Sequence, residues 1–314
     1  MSQPTHEFDL IALIRARTAG HARLAVGIGD DAAWVRFPDL SGCLVTVDML
    51  MEGVDFTLAS ATGRQIGWKS LAVNLSDIAA MAGKPVACVV SVALPRRGGF
   101  DLGRDLLCGV QECADRFGVA LAGGDTNTWD GPLVVSITVL GDPTGSGPVL
   151  RSGARPGDWI MTTGTFGGSI AGKHLEFTPR VAEALCLHQT VALHSMIDSS
   201  DGLAADLWHI LEESHVGAVL DEASIPISLA AMLATDGRTP IEHALADGED
   251  FELLFTVSPA DGQKILDQPP LAMELSRVGE ITVGSDCFLK SKLGRLVPLP
   301  AMGWKHGFLS ATKD

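Results

Sequence analysis

Apolar positions recur along the chain in two periods, and the switches between them lay out the elements. Residues 7–17, EFDLIALIRAR, set Phe8, Ile11, Ala12 and Arg15 at helical spacing with charges at Glu7, Asp9 and Arg17, which predicts a short amphipathic helix. GCLVTVDML, residues 42–50, predicts a strand. In WKSLAVNLSDIAAMAG, residues 68–83, Leu71, Leu75, Ile78 and Ala82 share one helical face and Ser70, Asn74 and Asp77 another. Gly83 is expected to close that helix. Strands are predicted at PVACVVSVALP (85–95) and PLVVSITVLG (132–141), with a helix around Leu102 to Phe117 and the strand-like GVALAGG between them.

Residues 141–158, GDPTGSGPVLRSGARPGD, interrupt this order with Gly, Pro and Ser, and predict a domain boundary. Beyond it come a strand at DWIMTTG, a helix from Val181 to Leu193, the helix DGLAADLWHILEES, the strand FELLFTV and short strands near SRVGEIT. The 314 residues therefore divide into two expected α+β domains, 1–142 and 143–314.

The longest apolar run, Val86 to Leu94, is broken by Ser91 and is too short to span a bilayer. The N-terminus carries acids and lacks a basic-then-apolar leader pattern, so a cytoplasmic location is expected. Six scattered cysteines, with no CxxC pair, are expected to be small reduced core residues. A net charge of −15 argues against a nucleic-acid partner.

Most of the acids read as soluble surface, but one set stands at the ends of apolar segments: Asp30 and Asp31 in GIGDDAA, Asp48 in LVTVD, Asp77 in NLSD, Asp125 in AGGDTN, and Asp198 and Asp201 in IDSSDG. A single such Asp is ordinarily a cap or turn residue, since its oxygens accept backbone N–H groups. Many gathered without matching Lys or Arg would repel one another, whereas hard divalent cations make them mutually tolerable. The expectation is a site for several Mg²⁺ ions bridging carboxylates to a polyphosphate. Ser200 and Asp201 precede a helix whose first N–H groups favour anions.

Gly167, Gly172 and Lys173 in GGSIAGKH imitate a P-loop, but His174 stands where Ser or Thr must bind Mg²⁺, so a tight turn is expected instead. The nine histidines show no H-x-x-x-H pattern, His209 is expected to be structural, and no G-x-S-x-G elbow exists.

Eight blocks, EFDLIALI, GIGDDAA, TVDMLMEGVDF, KSLAVNLSDIAAMAGKP, GGDTN, RSGARPGDWIMTTG, IDSSDGLAADLWHI and GEDFELLFT, together resemble in order and spacing the thiamine-monophosphate kinases. That family belongs to the aminoimidazole ribonucleotide synthetase superfamily. The resemblance runs from about Glu7 to GWKHGF. It implies the two-domain α+β fold of that superfamily, with mixed sheets and flanking helices. It also implies transfer of the ATP γ-phosphoryl group to the phosphate of thiamine monophosphate by direct in-line attack, with several Mg²⁺ ions, in a homodimer formed through the N-terminal domains. No side chain is assigned a catalytic proton transfer, because a phosphate nucleophile needs no strong base and positioning with charge neutralisation suffices.

Carried over residue by residue, the resemblance makes Asp31, Thr46, Asp48, Asp77, Asp125, Asp198 and Asp201 metal-site residues, with Val47 offering its backbone carbonyl. Gly124, Asp125, Arg151 and Ser200 become ATP contacts, Arg151 through its planar fork. Glu249 and Trp304 face the thiamine moiety, an acid and an aromatic ring suiting a cationic heterocycle. Asp55 stands where the family usually has His, so a substrate-facing position changes sign. The segment from GTFGGSIAGKHLEF to TPRV is short, and GWKHGF replaces a GYDHF-type ending. The alternatives are a kinase or ligase of the same fold acting on another metabolite, and a non-catalytic nucleotide-binding protein.

Overall fold

The computed structural model of the protein describes residues 15–16, 24–36, 42–305 and 307. The expected N-terminal amphipathic helix lies almost wholly outside these residues, as does part of the GWKHGF ending.

The first half supplies β1 (Leu24–Val26), β2 (Ala33–Val35), β3 (Cys43–Met51), helix α1 (Gly63–Ala80), β4 (Lys84–Pro95), helix α2 (Gly99–Phe117), β5 (Ala120–Trp129) and β6 (Val134–Asp142). Its strands form a six-stranded sheet in the order β1-β2-β3-β6-β4-β5, antiparallel except for the β4–β5 pair. Alternation along β3 turns Leu44, Thr46 and Leu50 inward and leaves Val47, Met49 and Met51 exposed on the other face.

The second half supplies β7 (Trp159–Thr163), the short helix α3 (Lys173–Glu176), α4 (Val181–Thr190), β8 (Leu193–Asp198), α5 (Leu203–Ser214) and β9 (Gly217–Asp221). It continues with α6 (Leu229–Leu233), α7 (Pro240–Ala246), β10 (Leu253–Val257), α8 (Pro259–Asp267), β11 (Leu275–Thr282), β12 (Cys287–Lys290) and β13 (Leu296–Pro298). The seven-stranded sheet runs β13-β12-β9-β11-β7-β10-β8, with only β12–β9 parallel. Mixed sheets with flanking helices were the expectation, and both are present.

The helix α1 departs from its amphipathic pattern in an informative way. A capping box of Thr62 and Gln65 opens it, and almost every side, including Lys69, Ser70, Asn74 and Ser76, is buried. Its polar stripe does not meet water but β3, where Asn74 Oδ1 accepts from the Asp48 N–H at 3.1 Å and Asp77 accepts from Thr46. Residues beside the stripe reach the second half, with Ser76 donating to Asp198, Trp68 Nε1 to the Phe177 carbonyl at 2.9 Å and Gln65 Nε2 to Glu176 at 2.7 Å. One apolar cluster accordingly runs from Leu71, Leu75 and Ile78 of this helix into Met161, Met196 and Phe255 of the second sheet.

Three local expectations are corrected. The left-handed residue ending α1 is Ala82, with φ 50°, rather than Gly83. Gly83 instead lies against Leu44 Cδ1, which an added Cβ would meet at 2.4 Å. The strand predicted at GVALAGG extends to Trp129, because pairing with β4 carries the polar residues Asp125–Thr128 into the ladder. Of the cysteines, Cys88, Cys113 and Cys287 are buried as expected, whereas Cys108 lies on the exposed side of α2.

Candidate metal and nucleotide site

The carboxylates meet where α1 passes between the two sheets. Asp31 follows β1 in a turn, Asp77 comes from the last turns of α1, and Asp198 ends β8. One oxygen from each lies within 4.8 Å of the others. Asp48, on the inward face of β3, joins them beside Asp77.

The surroundings hold these groups in place. Thr46 Oγ1 donates to Asp77, Ser76 Oγ donates to Asp198, and the Asp48 N–H donates to Asn74 Oδ1 at 3.1 Å. The sequence offered one signal for Asn74, its place on the polar stripe with Ser70 and Asp77, and none for Ser76.

Arg151 enters from the inter-sheet segment, not as a surface charge. Its guanidinium grips Asp31 with two bonds, Nε to Oδ2 at 3.0 Å and a terminal nitrogen to Oδ1 at 2.9 Å. The Arg151 N–H donates to Asp30 at 3.2 Å, and its carbonyl accepts from Ser214.

Packing acids this closely out of water raises their pKa values. Burial, with the Asp31 charge second, pushes Asp198 up to about 8 and Asp30 up to about 7. Burial likewise raises Asp48 to about 6, against the hydrogen bond from Asp77, and holds Asp77 well above the usual carboxylate range. Asp48 Oδ2 is buried with no hydrogen-bond partner. An orphaned carboxylate oxygen beside three converging acids is costly unless a cation meets it, and an all-oxygen donor set is what Mg²⁺ takes. The residues present fit such an ion.

Ser200 and Asp201 cross from β8 to α5. The Ser200 carbonyl accepts from the Glu249 N–H at 2.6 Å, and the Asp201 carbonyl from the Trp304 N–H at 2.9 Å. Both expected acceptor residues thus lie beside this turn. Gly202 makes it possible: its φ of 124° and ψ of 146° belong to a region that only glycine occupies readily. Asp206, inside α5, accepts from Gly202 N–H and Ser199 Oγ, both at 3.0 Å. His209 lies beside Asp201 and Asp206, and burial, with the Arg151 charge second, lowers its pKa to about 4, which leaves the ring neutral.

Gly124 and Asp125 stand apart. They lie on the exposed edge strand β5, opposite Val90 and Ser91, and among the described residues no side-chain hydrogen bond ties Asp125 to the cluster. Val47 sends its side chain to the opposite face from Thr46 and is exposed. Asp55 closes its own turn, its carboxylate accepting from the Met51 N–H at 2.7 Å.

The P-loop imitation is filled by the protein itself. The Gly167 N–H donates to Asp250 at 2.9 Å, the Gly168 N–H to Asp247 at 2.7 Å, and Lys173 Nζ to Glu252 at 2.9 Å. Groups that would cradle phosphate already hold carboxylates, as the tight-turn expectation required.

Comparison with known proteins bears on the family and the fold. Residues 29–142 match the family of AIR synthase related proteins, N-terminal domain, and residues 155–292 match its C-terminal domain. A thiamine-monophosphate kinase of Rhodopirellula baltica is 40% identical over 313 residues, covering 96% of this chain and 97% of that protein. The solved thiamine-monophosphate kinase of Stenotrophomonas maltophilia K279a is 34% identical with a TM-score of 0.73, covering 93% and 98% of the two chains. A solved structure described as AaThiL complexed with AMPPCP and TMP is 28% identical with a TM-score of 0.82, covering 96% and 97%.

Proposed function

The chain belongs to the thiamine-monophosphate kinase family, and from that premise we propose that it transfers the γ-phosphoryl group of ATP to the phosphate of thiamine monophosphate, giving thiamine diphosphate and ADP. The observation that carries this reading is the convergence of Asp31, Asp77 and Asp198 within 4.8 Å, beside the orphaned oxygen of Asp48 and the fork of Arg151.

In this proposal Asp31, Thr46, Asp48, Asp77, Asp198 and Asp201 hold several Mg²⁺ ions, with the Val47 carbonyl and Asp125 as further ligands. The ions, when bound, neutralise charge on the triphosphate and on the acceptor phosphate. Arg151 and Ser200 hold the nucleotide, joined by Gly124 and Asp125 of the edge strand. Glu249 and Trp304, tied by backbone bonds to the Ser200–Asp201 turn, hold the acceptor beside it. One oxygen of the acceptor phosphate attacks the γ-phosphorus in line as the bond to the ADP oxygen breaks. Those residues fix the two phosphates in that alignment.

Asp55 accepts a hydrogen bond from the Met51 N–H, so one of its oxygens is engaged within its own turn. The proposal also includes domains 1–142 and 143–314, a cytoplasmic enzyme, and a homodimer through the first sheet, whose Val47, Met49, Met51 and Val89 are exposed. Among the described residues no helix is long and apolar enough to cross a membrane.

Incubating the purified protein with Mg·ATP and thiamine monophosphate, and separating the products by chromatography, tests the reading. Equimolar thiamine diphosphate and ADP are expected. Failure to form thiamine diphosphate, with turnover of another acceptor or of none, overturns it.

A further inference from the structure

Lys69 is the one lysine that the fold buries completely among the described residues, its side chain 1% exposed. A buried ammonium is costly unless each donor meets an acceptor. Lys69 Nζ donates to the Asp55 carbonyl at 2.7 Å and to Glu249 Oε1, and it lies 3.1 Å from His174 Nδ1. His174 Nδ1 is also 3.0 Å from the other Glu249 oxygen. That single ring nitrogen can accept from Lys69 or donate to Glu249, but not both at once, so the three groups act as one unit.

The unit bridges the molecule. Lys69 belongs to α1, Asp55 to the turn after β3, His174 to α3, and Glu249 to the segment before β10. Glu249 sits at a left-handed φ of 56°, a conformation a side chain rarely adopts without support, and its N–H donates to the Ser200 carbonyl. Its carboxylate is 28% exposed where Lys69 is 1% exposed. The acid therefore keeps an open edge, while the lysine has none and cannot itself reach a ligand. Burial acts to raise the Glu249 pKa, but His174 and Lys69 outweigh it and hold the group below the usual carboxylate range.

Lys69 also stands on the same helix as Asp77. Eight residues at about 1.5 Å rise separate their backbones by roughly 12 Å, so one rigid element fixes the spacing between the carboxylate cluster and Glu249.

We propose that Lys69 is a positioning residue for the acceptor. It ties Glu249 to the Asp55 turn, and so presents a carboxylate edge to a cationic heterocycle at a fixed distance from the metal cluster. This rests on the functional reading above and adds to it the residue that sets acceptor affinity without touching the acceptor.

Steady-state kinetics of Lys69→Met, Glu249→Gln and the double variant test it, with Lys69→Gln as a second removal of the charge that keeps a hydrogen-bond donor. Lys69→Met or Lys69→Gln should raise KM for thiamine monophosphate at least tenfold and leave KM for ATP within twofold. In the Glu249→Gln background the same change should alter the acceptor KM less than twofold, because the carboxylate that Lys69 positions is gone. An unchanged acceptor KM, equal rises for both substrates, or the same tenfold rise in both backgrounds overturns the inference while leaving the functional reading intact. A parent protein with no turnover of thiamine monophosphate overturns that reading, and the inference with it.

Discussion

At the scale of single residues, charge in the wrong place carries the information. Asp77 and Asp198 stand among apolar neighbours where an ordinary carboxylate would be costly, and both prove to be fixed by a hydroxyl and aimed at Asp31. Replacing Asp198 by Asn keeps the shape and the contact with Ser76 but removes a charge that a divalent ion needs. Thiamine diphosphate formation by Asp198→Asn should fall roughly 100-fold or more, since one oriented electrostatic group in a phosphoryl-transfer site is commonly worth that much. A rate within threefold of the parent, measured at saturating Mg·ATP, argues against metal ligation there. Arg151→Lys keeps the charge and loses the two-pronged grip, so KM for ATP should rise about tenfold with the acceptor KM little changed. The sequence made the aspartates legible because several of them broke the same rule. Arg151 was legible only through the family resemblance, because an arginine in a Gly- and Pro-rich segment ordinarily lies on the surface. Lys69 was not legible at all, since a lysine at the edge of an apolar helix ordinarily lets its ammonium reach water.

At the scale of elements, α1 shows what periodicity gives and what it withholds. Its existence and polar stripe followed from the spacing of Leu71, Leu75 and Ile78 against Ser70, Asn74 and Asp77, although it begins five residues earlier than that pattern, at Gly63. The stripe's destination did not follow, because a pattern distinguishes faces without saying whether water or a neighbouring strand meets the polar one. Glycines explain how α1 approaches α2 so closely. A Cβ on Gly67 would lie 2.0 Å from the Leu106 carbonyl oxygen, and one on Gly109 would lie 1.8 Å from the Arg64 carbonyl oxygen. The helices cross backbone to backbone at these two residues. Gly67→Ala should destabilise the protein by about 1–3 kcal/mol, the usual cost of overpacking, despite alanine's better helix propensity. Denaturant unfolding monitored by circular dichroism measures it, and a variant as stable as the parent would mean that the helices can part without cost. The edge strand β5 is the complementary case: GGDTNTW carries turn residues, and only pairing with β4 makes it a strand.

At the scale of the whole molecule, the carboxylate cluster ties stability to pH and to divalent ions. Burial raises Asp30 to about 7, Asp48 to about 6 and Asp198 to about 8, so the ion-free folded protein holds protons at neutral pH that the unfolded chain, with carboxyls near 3.9, has released. The folded state then binds more protons than the unfolded one between about pH 4 and 8, and the slope of unfolding free energy against pH is negative across that window. Each proton of difference is worth about 1.4 kcal/mol per pH unit. With EDTA present, the thermal midpoint should therefore fall between pH 6 and pH 8. Mg²⁺ reverses the preference, because its carboxylate ligands must be ionised, so it competes with protons for the same oxygens. Its stabilisation should be small at pH 6 and several degrees larger at pH 8, when the competing protons have gone. Differential scanning calorimetry at both pH values, with EDTA and with Mg²⁺, checks both signs in one series. An EDTA midpoint that rises towards pH 8, or a Mg²⁺ effect that is equal at both, would show that the aspartates do not share a buried site, and the phosphotransfer reading would lose its centre.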